Sequence, residues 1–305
     1  MKTTVAGTST LKPRQSLLAV TGRARLLAIL EVVLVCAAVQ ALLQFWKSLA
    51  ITRWELRNLG WSYSGMLVLV GVPALITWLA RRSPAEYGLS LANWPTNLDI
   101  GIKAYVLSFI PLAVGVLGAQ SLGLDYLRLR GGAFVAATQL VAVALMIRIL
   151  NRHKPVQSGR KNLIVTLLLL CFPIGLALAL RSFNGIMLST LFWQFVFSGF
   201  GEEFVFRGYV QSRLNAAFGR PLRWFGIQFG PGLIIASLLF GLLHAFNTFE
   251  PAVGLSSMAW GWALWTFVSG LFFGVIREKT GTLVGPGIAH GLPDAVGEVL
   301  KQIGG

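Results

Sequence analysis

Two adjacent carboxylates, Glu202 and Glu203, stand in the stretch GEEFVFRGYV (201–210), directly after thirteen uncharged residues, LSTLFWQFVFSGF. An ionisable group inside a membrane helix costs about 2.5–3.5 kcal/mol on insertion scales, so its presence there points to a functional site. Glu203 and Arg207 are four apart, share a helix face and can pair. Taken alone, that pair reads equally well as a structural ion pair near a helix end. Glu202 lies about 100° further round an α-helix. Arg207 cannot serve both carboxylates equally, so Glu202 needs another partner, and proton chemistry is the better reading for it.

Three more ionisable residues follow in apolar surroundings. His244 ends the run LIIASLLFGLLHAF, and His290 and Asp294 are four apart in the Gly- and Pro-rich stretch HGLPD (290–294). Singly, each reads as a satisfied core residue or as a His–Asp hydrogen bond locking a bend. Together they place two of the chain's three histidines and its unusual carboxylates on three segments of its last third. Gathering polar groups is the cheap way to bury them in lipid. A Glu and a His can activate water as general base, while a second His with Asp holds the carbonyl oxygen as it gains charge. Alternatively, Glu202, His244 and His290 form a His₂Glu zinc site. Both schemes hydrolyse an amide. No HExxH or GxSxG is present. Ser198-Gly199 precedes the acidic pair, but a serine site also needs a histidine on a neighbouring span.

The elements that must position these residues are membrane helices. The 305 residues are 55% hydrophobic and 12% charged, with mean hydropathy +0.70, whereas soluble domains carry about 25% charged residues. The net charge of +15 would suggest nucleic acid in a soluble protein. Here the cations lie between apolar runs, so topology and anionic lipid account for them and no nucleic-acid partner is expected. An all-α, polytopic transmembrane bundle of about eight to nine spans is predicted, over 26–46, 63–80, 104–124, 132–150, 162–180, 184–204, 231–248, 256–276 and 282–300. The last of these is the most broken by Gly and Pro, as a kinked or sheltered helix would be.

An uncleaved first span with the N-terminus in the cytoplasm puts 19 of the 26 Lys and Arg on the cytoplasmic side. In that topology the acidic pair falls near the cytoplasmic end of its helix. Residues 1–20 read as a disordered tail, 21–183 as N-terminal transmembrane helices and 184–305 as the catalytic helical core. Linkers are expected at 81–103 and 151–161. Cys36 and Cys171 lie in separate apolar runs and read as inert buried thiols. Glu31, inside the first span, is expected to snorkel or to pair with a nearby arginine.

These residues form a recognisable pattern. EEFVFR (202–207) resembles the EExxxR motif of the CPBP family, the CAAX-protease and bacteriocin-processing group of intramembrane proteases that includes the Rce1-type prenyl-protein proteases. FGLLH (240–244) resembles its FxxxH motif, HGLPD (290–294) its HxxxN or HxxxD motif, and AEYGL (85–89) a shorter upstream motif. The resemblance covers roughly residues 184–300. It implies that Glu202 activates water with His244 sharing the proton, that Glu203 supports it held by Arg207, and that Phe240 packs beneath. His290 and Asp294 complete the cavity and stabilise the oxyanion. Asp294 departs from the prenyl-protease version, which has Asn. An ionised Asp cannot donate to an oxyanion, so Asp294 is protonated, orients His290 or binds metal.

The expected function is thus an intramembrane endopeptidase in a bacterial plasma membrane, acting on a membrane protein or lipidated peptide. No cofactor is expected, with zinc as the alternative. Two other classes compete: a proton-coupled transporter using the same residues as a relay, and a non-catalytic immunity-type membrane protein. Transporters often show broken helices in two similar halves, whereas here the polar residues crowd into one half.

Overall fold

The structure, a computed structural model, describes residues 22–304, so the tail expected over 1–20 lies outside the described residues. Ten of its elements are helices longer than one turn that carry the chain back and forth: α1 (Gly22–Lys47), α2 (Ala50–Leu59), α3 (Tyr63–Leu79), α4 (Trp94–Ser121), α5 (Leu129–Arg152), α6 (Arg160–Ala179), a composite helix described below, α9 (Pro231–Ala245), α10 (Trp260–Thr280) and α11 (Val284–Ile303). The composite, here called the motif helix, runs from α7 (Gly185–Phe192) through two π-helical segments, Trp193–Glu202 and Phe204–Gln211, into α8 (Ser212–Phe218).

Each of the nine predicted segments falls on a helix. Five helices are long and apolar enough to cross a membrane: Gly22–Lys47, Trp94–Ser121, Leu129–Arg152, Arg160–Ala179 and Pro231–Thr248. They are six if α2 and α3, bent by 118°, count as one. The expected eight to nine spans therefore exceed what length and apolarity alone support. The motif helix changes helical type along its course, and α10 and α11 carry Arg277, His290 and Asp294. Those polar groups are sheltered by packing: α10 lies against α9 and α5, and α11 against the motif helix and α4.

Several boundaries differ from the sequence expectation. The segment expected to end at 204 continues to Phe218, because the apolar face persists as buried Phe206, Tyr209, Val210 and Leu214. Glu202 consequently sits at mid-helix, rather than near an end. The linker expected over 81–103 gives way to α4 at Trp94, with Pro95 in the first turn, where its missing N–H is not needed. A two-stranded antiparallel hairpin, β1 (Leu222–Trp224) and β2 (Ile227–Phe229), was not anticipated. Its turn residues Phe225 and Gly226 both have positive φ (43° and 88°), as a tight primed turn requires. Cys171 is exposed on α6 rather than buried.

The ends of the helices fall into two groups. At one end, Leu283 N donates to Gly88 O (3.0 Å), Asn97 Nδ2 to Thr282 Oγ1 (2.9 Å), and Asn151 Nδ2 to Phe225 O. Arg25 at the start of α1 lies over the ring of Phe218 there. The main core draws on α1, α3, α4, α5, the motif helix, α9 and α10 and includes the buried Phe206, Phe240, Phe272 and Phe273.

Candidate active site

The π-helical stretch of the motif helix decides how its carboxylates are presented. A π-turn closes i→i+5 and is wider than an α-turn, so successive side chains are splayed less around the axis. Both carboxylates thereby reach one ring. His290 Nδ1 lies 3.0 Å from Glu203 Oε1, and His290 Nε2 lies 4.0 Å from Glu202 Oε2. Glu203 Oε1 also accepts from Arg207 Nη1 at 2.8 Å, and both side chains of that pair are fully buried. Glu202 and Glu203 therefore converge on a shared partner, where an α-helical reading separates them.

Helix α11 comes close enough to deliver His290 because glycines face each other. A Cβ on Gly199 would meet Gly291 Cα at 2.5 Å. One turn after His290, Asp294 Oδ2 stands 3.4 Å from His290 Nε2 and accepts from Ser198 Oγ at 2.9 Å. Ser198 thus belongs to the cluster through Asp294, a role that its position beside the acidic pair did not disclose. Asp294 is the most accessible member, its side chain 34% exposed against 11% for Glu202 and 7% for His290. Each nitrogen of His290 thus faces a carboxylate.

His244 joins through aromatic rings. Its Nδ1 donates to Phe240 O at 2.8 Å, which fixes the tautomer and leaves Nε2 as the free nitrogen. The Phe240 ring meets His244 at 4.5 Å and His290 at 5.6 Å between centroids, and the Arg207 guanidinium lies 4.5 Å above it. Phe273 stacks on His290 at 4.8 Å. Among the described residues, no hydrogen bond or ion pair joins His244 to Glu202, Glu203 or His290. Of the six residues singled out by sequence, Glu202, Glu203, Arg207, His290 and Asp294 form one contiguous polar cluster, and His244 stands beside it across Phe240.

Buried atoms left without a partner mark where this cluster is open to further bonding. Glu202 Oε2, Glu203 Oε2 and Arg207 Nε and Nη2 are buried and make no hydrogen bond within the protein. A buried carboxylate oxygen without a donor is costly, and Glu202 Oε2 is the one that faces the imidazole across a 4.0 Å gap. Among the described residues, no group of three His, Cys, Asp or Glu side chains is placed to hold one metal ion, Glu202, His244 and His290 included.

Three braces hold the motif helix in place. Glu31 accepts from Arg82 Nη1 and Nη2 (2.6 and 2.9 Å), Arg213 Nε (2.8 Å) and Tyr209 OH (2.9 Å), and so finds two arginine partners. Hydrogen bonding to that carboxylate holds the Arg82 guanidinium even further above neutrality. Glu278 accepts from Gln211 Nε2 at 2.9 Å and from Asn215 and Arg220. Arg277 Nη2 donates to Glu86 O (3.0 Å) and Ser212 Oγ (3.1 Å), docking the AEYGL stretch against the motif helix. Sequence spacing offered no signal for Arg277 and Glu278, which lie at a helix end among other charges.

Residues 184–296 match the family model described as type II CAAX prenyl endopeptidase Rce1-like. All six site residues lie inside that segment. No curated protein and no solved structure matches the chain. Five or six membrane-length apolar helices, with this similarity to a membrane-protease domain over 184–296, support an integral membrane protein. Over residues 184–296 the chain is thus similar to the Rce1-like, CAAX-protease type of domain.

Proposed function

We propose that the protein is an intramembrane endopeptidase in which Glu202 activates the water that cleaves a peptide bond of a membrane protein or lipidated peptide. The observation that best supports this is the convergence of Glu202, Glu203 and Asp294 on His290 from two separate helices, with Glu202 Oε2 left unpartnered. In this reading Glu202 takes a proton from water as its oxygen bonds to the scissile carbonyl carbon. His290, held at Nδ1 by Glu203 and oriented at Nε2 by Asp294, donates to the developing oxyanion. Asp294 accepts from Ser198 and so acts on the oxyanion through His290. The free Nε2 of His244 shares the proton, which leaves on the departing amine as the C–N bond breaks. Arg207 supports Glu203 without touching substrate. No step needs a metal.

The membrane is proposed to be a bacterial plasma membrane, and the charge pattern supports a cytoplasmic N-terminus. Arg25, Arg82, Arg152, Arg220 and Lys279 lie at the end of the bundle that gathers Gly88, Phe225 and Thr282. Comparative mass spectrometry of membrane peptides, from cells making wild type or Glu202→Gln at equal level, tests the proposal. Peptides that appear with wild type alone are expected, and identical peptide sets overturn it. Cleavage that persists in excess chelator is expected, and its loss would favour the zinc version.

A further inference from the structure

Away from the site, a recess of about 610 Å³ opens between α4 and α5 at the end of the bundle where α4 begins and α5 finishes. Its rim carries four cations, Lys103, Arg148, Arg152 and Lys154, and its wall is apolar, including Leu107, Leu145 and Ile149. The one carboxylate there is spoken for. Asp99 accepts from Lys103 Nζ (2.6 Å) and Asn162 Nδ2 (3.0 Å) and lies 2.6 Å from His153 Nε2. Among the described residues, Arg148, Arg152 and Lys154 have no carboxylate within ion-pairing distance. Arg148 and Arg152 are four apart on one helix face, where uncompensated like charges repel. An anion seated between them relieves that repulsion, and arginine forks bind phosphate in bidentate fashion.

The wall says what the anion is attached to. From Leu107, helical spacing leads to exposed Ile110 and Val114 on α4, and from Leu145 to exposed Val141 on α5. Both helices are membrane-length. Phosphate binding at the rim and apolar tracks running from it into the bilayer describe one amphiphile. We propose that this recess binds an anionic phospholipid, its phosphate on Arg148, Arg152 and Lys154 and an acyl chain along Leu107 and Leu145. Basic pockets between membrane helices at the membrane surface are suited to such headgroups. The site is independent of the proteolytic reading.

The test is native mass spectrometry of the full chain in mild detergent with added phosphatidylglycerol or phosphatidylcholine. Retention of one phosphatidylglycerol, bound at least about tenfold more tightly than phosphatidylcholine, is expected. Arg148→Ala/Arg152→Ala should lose that preference, while the charge-matched Arg223→Ala/Lys279→Ala keeps it. Equal loss in both doubles would show diffuse surface attraction and overturn the proposal. Glycerol phosphate that displaces the lipid at equal concentration would identify a small-anion site and also overturn it. Should the first double fail to fold, Lys154→Ala, in the loop after α5, is expected to weaken retention severalfold, and unchanged retention counts against the site.

Discussion

His290 Nδ1 and Glu203 Oε1 lie 3.0 Å apart, although 87 residues separate them in the chain. The same carboxylate oxygen takes Arg207 Nη1 at 2.8 Å. Glu203 is thereby committed to holding its neighbours, whereas Glu202 Oε2, 4.0 Å from His290 Nε2, has no hydrogen-bond partner among the described residues. In the proposed mechanism the adjacent carboxylates divide into one that fixes the cluster and one that reacts. Glu202→Gln should therefore abolish cleavage and leave the unfolding temperature in detergent near that of wild type. Glu203→Leu should lose both, at about 3–5 kcal/mol of stability, because it strands the buried Arg207. A Glu203→Leu protein as stable as wild type would break this division of labour.

Arg207 gives the complementary experiment. Its side chain is fully buried, and its guanidinium lies 4.5 Å from the Phe240 ring centroid and 5.3 Å from that of Phe273. Arg207→Met takes from the buried Glu203 its guanidinium partner, leaves only His290 beside it, and should also cost about 3–5 kcal/mol. The double Glu203→Leu/Arg207→Met removes both charges, so its loss should fall well short of the sum of the singles. A double-mutant cycle by detergent melting reads that coupling. Additive losses would mean that the two side chains do not stabilise each other.

Ser198 and Asp294 carry a third expectation. Asp294 Oδ2 accepts from Ser198 Oγ at 2.9 Å and stands 3.4 Å from His290 Nε2. Ser198→Ala removes one donor and should lower kcat roughly tenfold with little change in KM, the size of effect that one neutral hydrogen bond carries. Asp294→Asn keeps an acceptor for Ser198 and should retain more activity than Asp294→Leu. Full activity in Asp294→Leu would remove Asp294 from the mechanism.

Much of the site was conspicuous in the sequence for one physical reason: ionisable residues in apolar helices are costly, so Glu202, Glu203, Arg207, His244, His290 and Asp294 stand out from their neighbours. The helical course of the chain was legible from apolar runs in the same way. Other features left no such trace. The π-helical turns over 193–211 depend on how the motif helix packs, and no local residue pattern announces them. Ser198 is one of many serines in apolar surroundings, and only the fold brings it to Asp294. The hairpin at 222–229 is six paired residues around a Phe-Gly turn, too short to show alternation. Arg277 and Glu278 sit at a helix end, where charges are ordinary.

The close approach of two backbones carries the last prediction. Helix interiors gain about 1 kcal/mol when Gly becomes Ala, from propensity alone. At Gly297 a Cβ meets nothing within 4 Å, so Gly297→Ala should stabilise the protein slightly and leave cleavage unchanged. At Gly199 the same atom would sit 2.5 Å from Gly291 Cα, and that neighbour is backbone that cannot rotate away. Gly199→Val must push α11 off the motif helix. His290 travels with α11, so its 3.0 Å contact with Glu203 and its approach to Glu202 are lost together. The expected result is a protein that still inserts into the membrane and cleaves at least about a hundredfold more slowly, since misplacement by about 1 Å costs that much. Membrane fractionation and cleavage measured on both variants check it. Wild-type cleavage in Gly199→Val would show that chemistry does not depend on bringing His290 to the acidic pair.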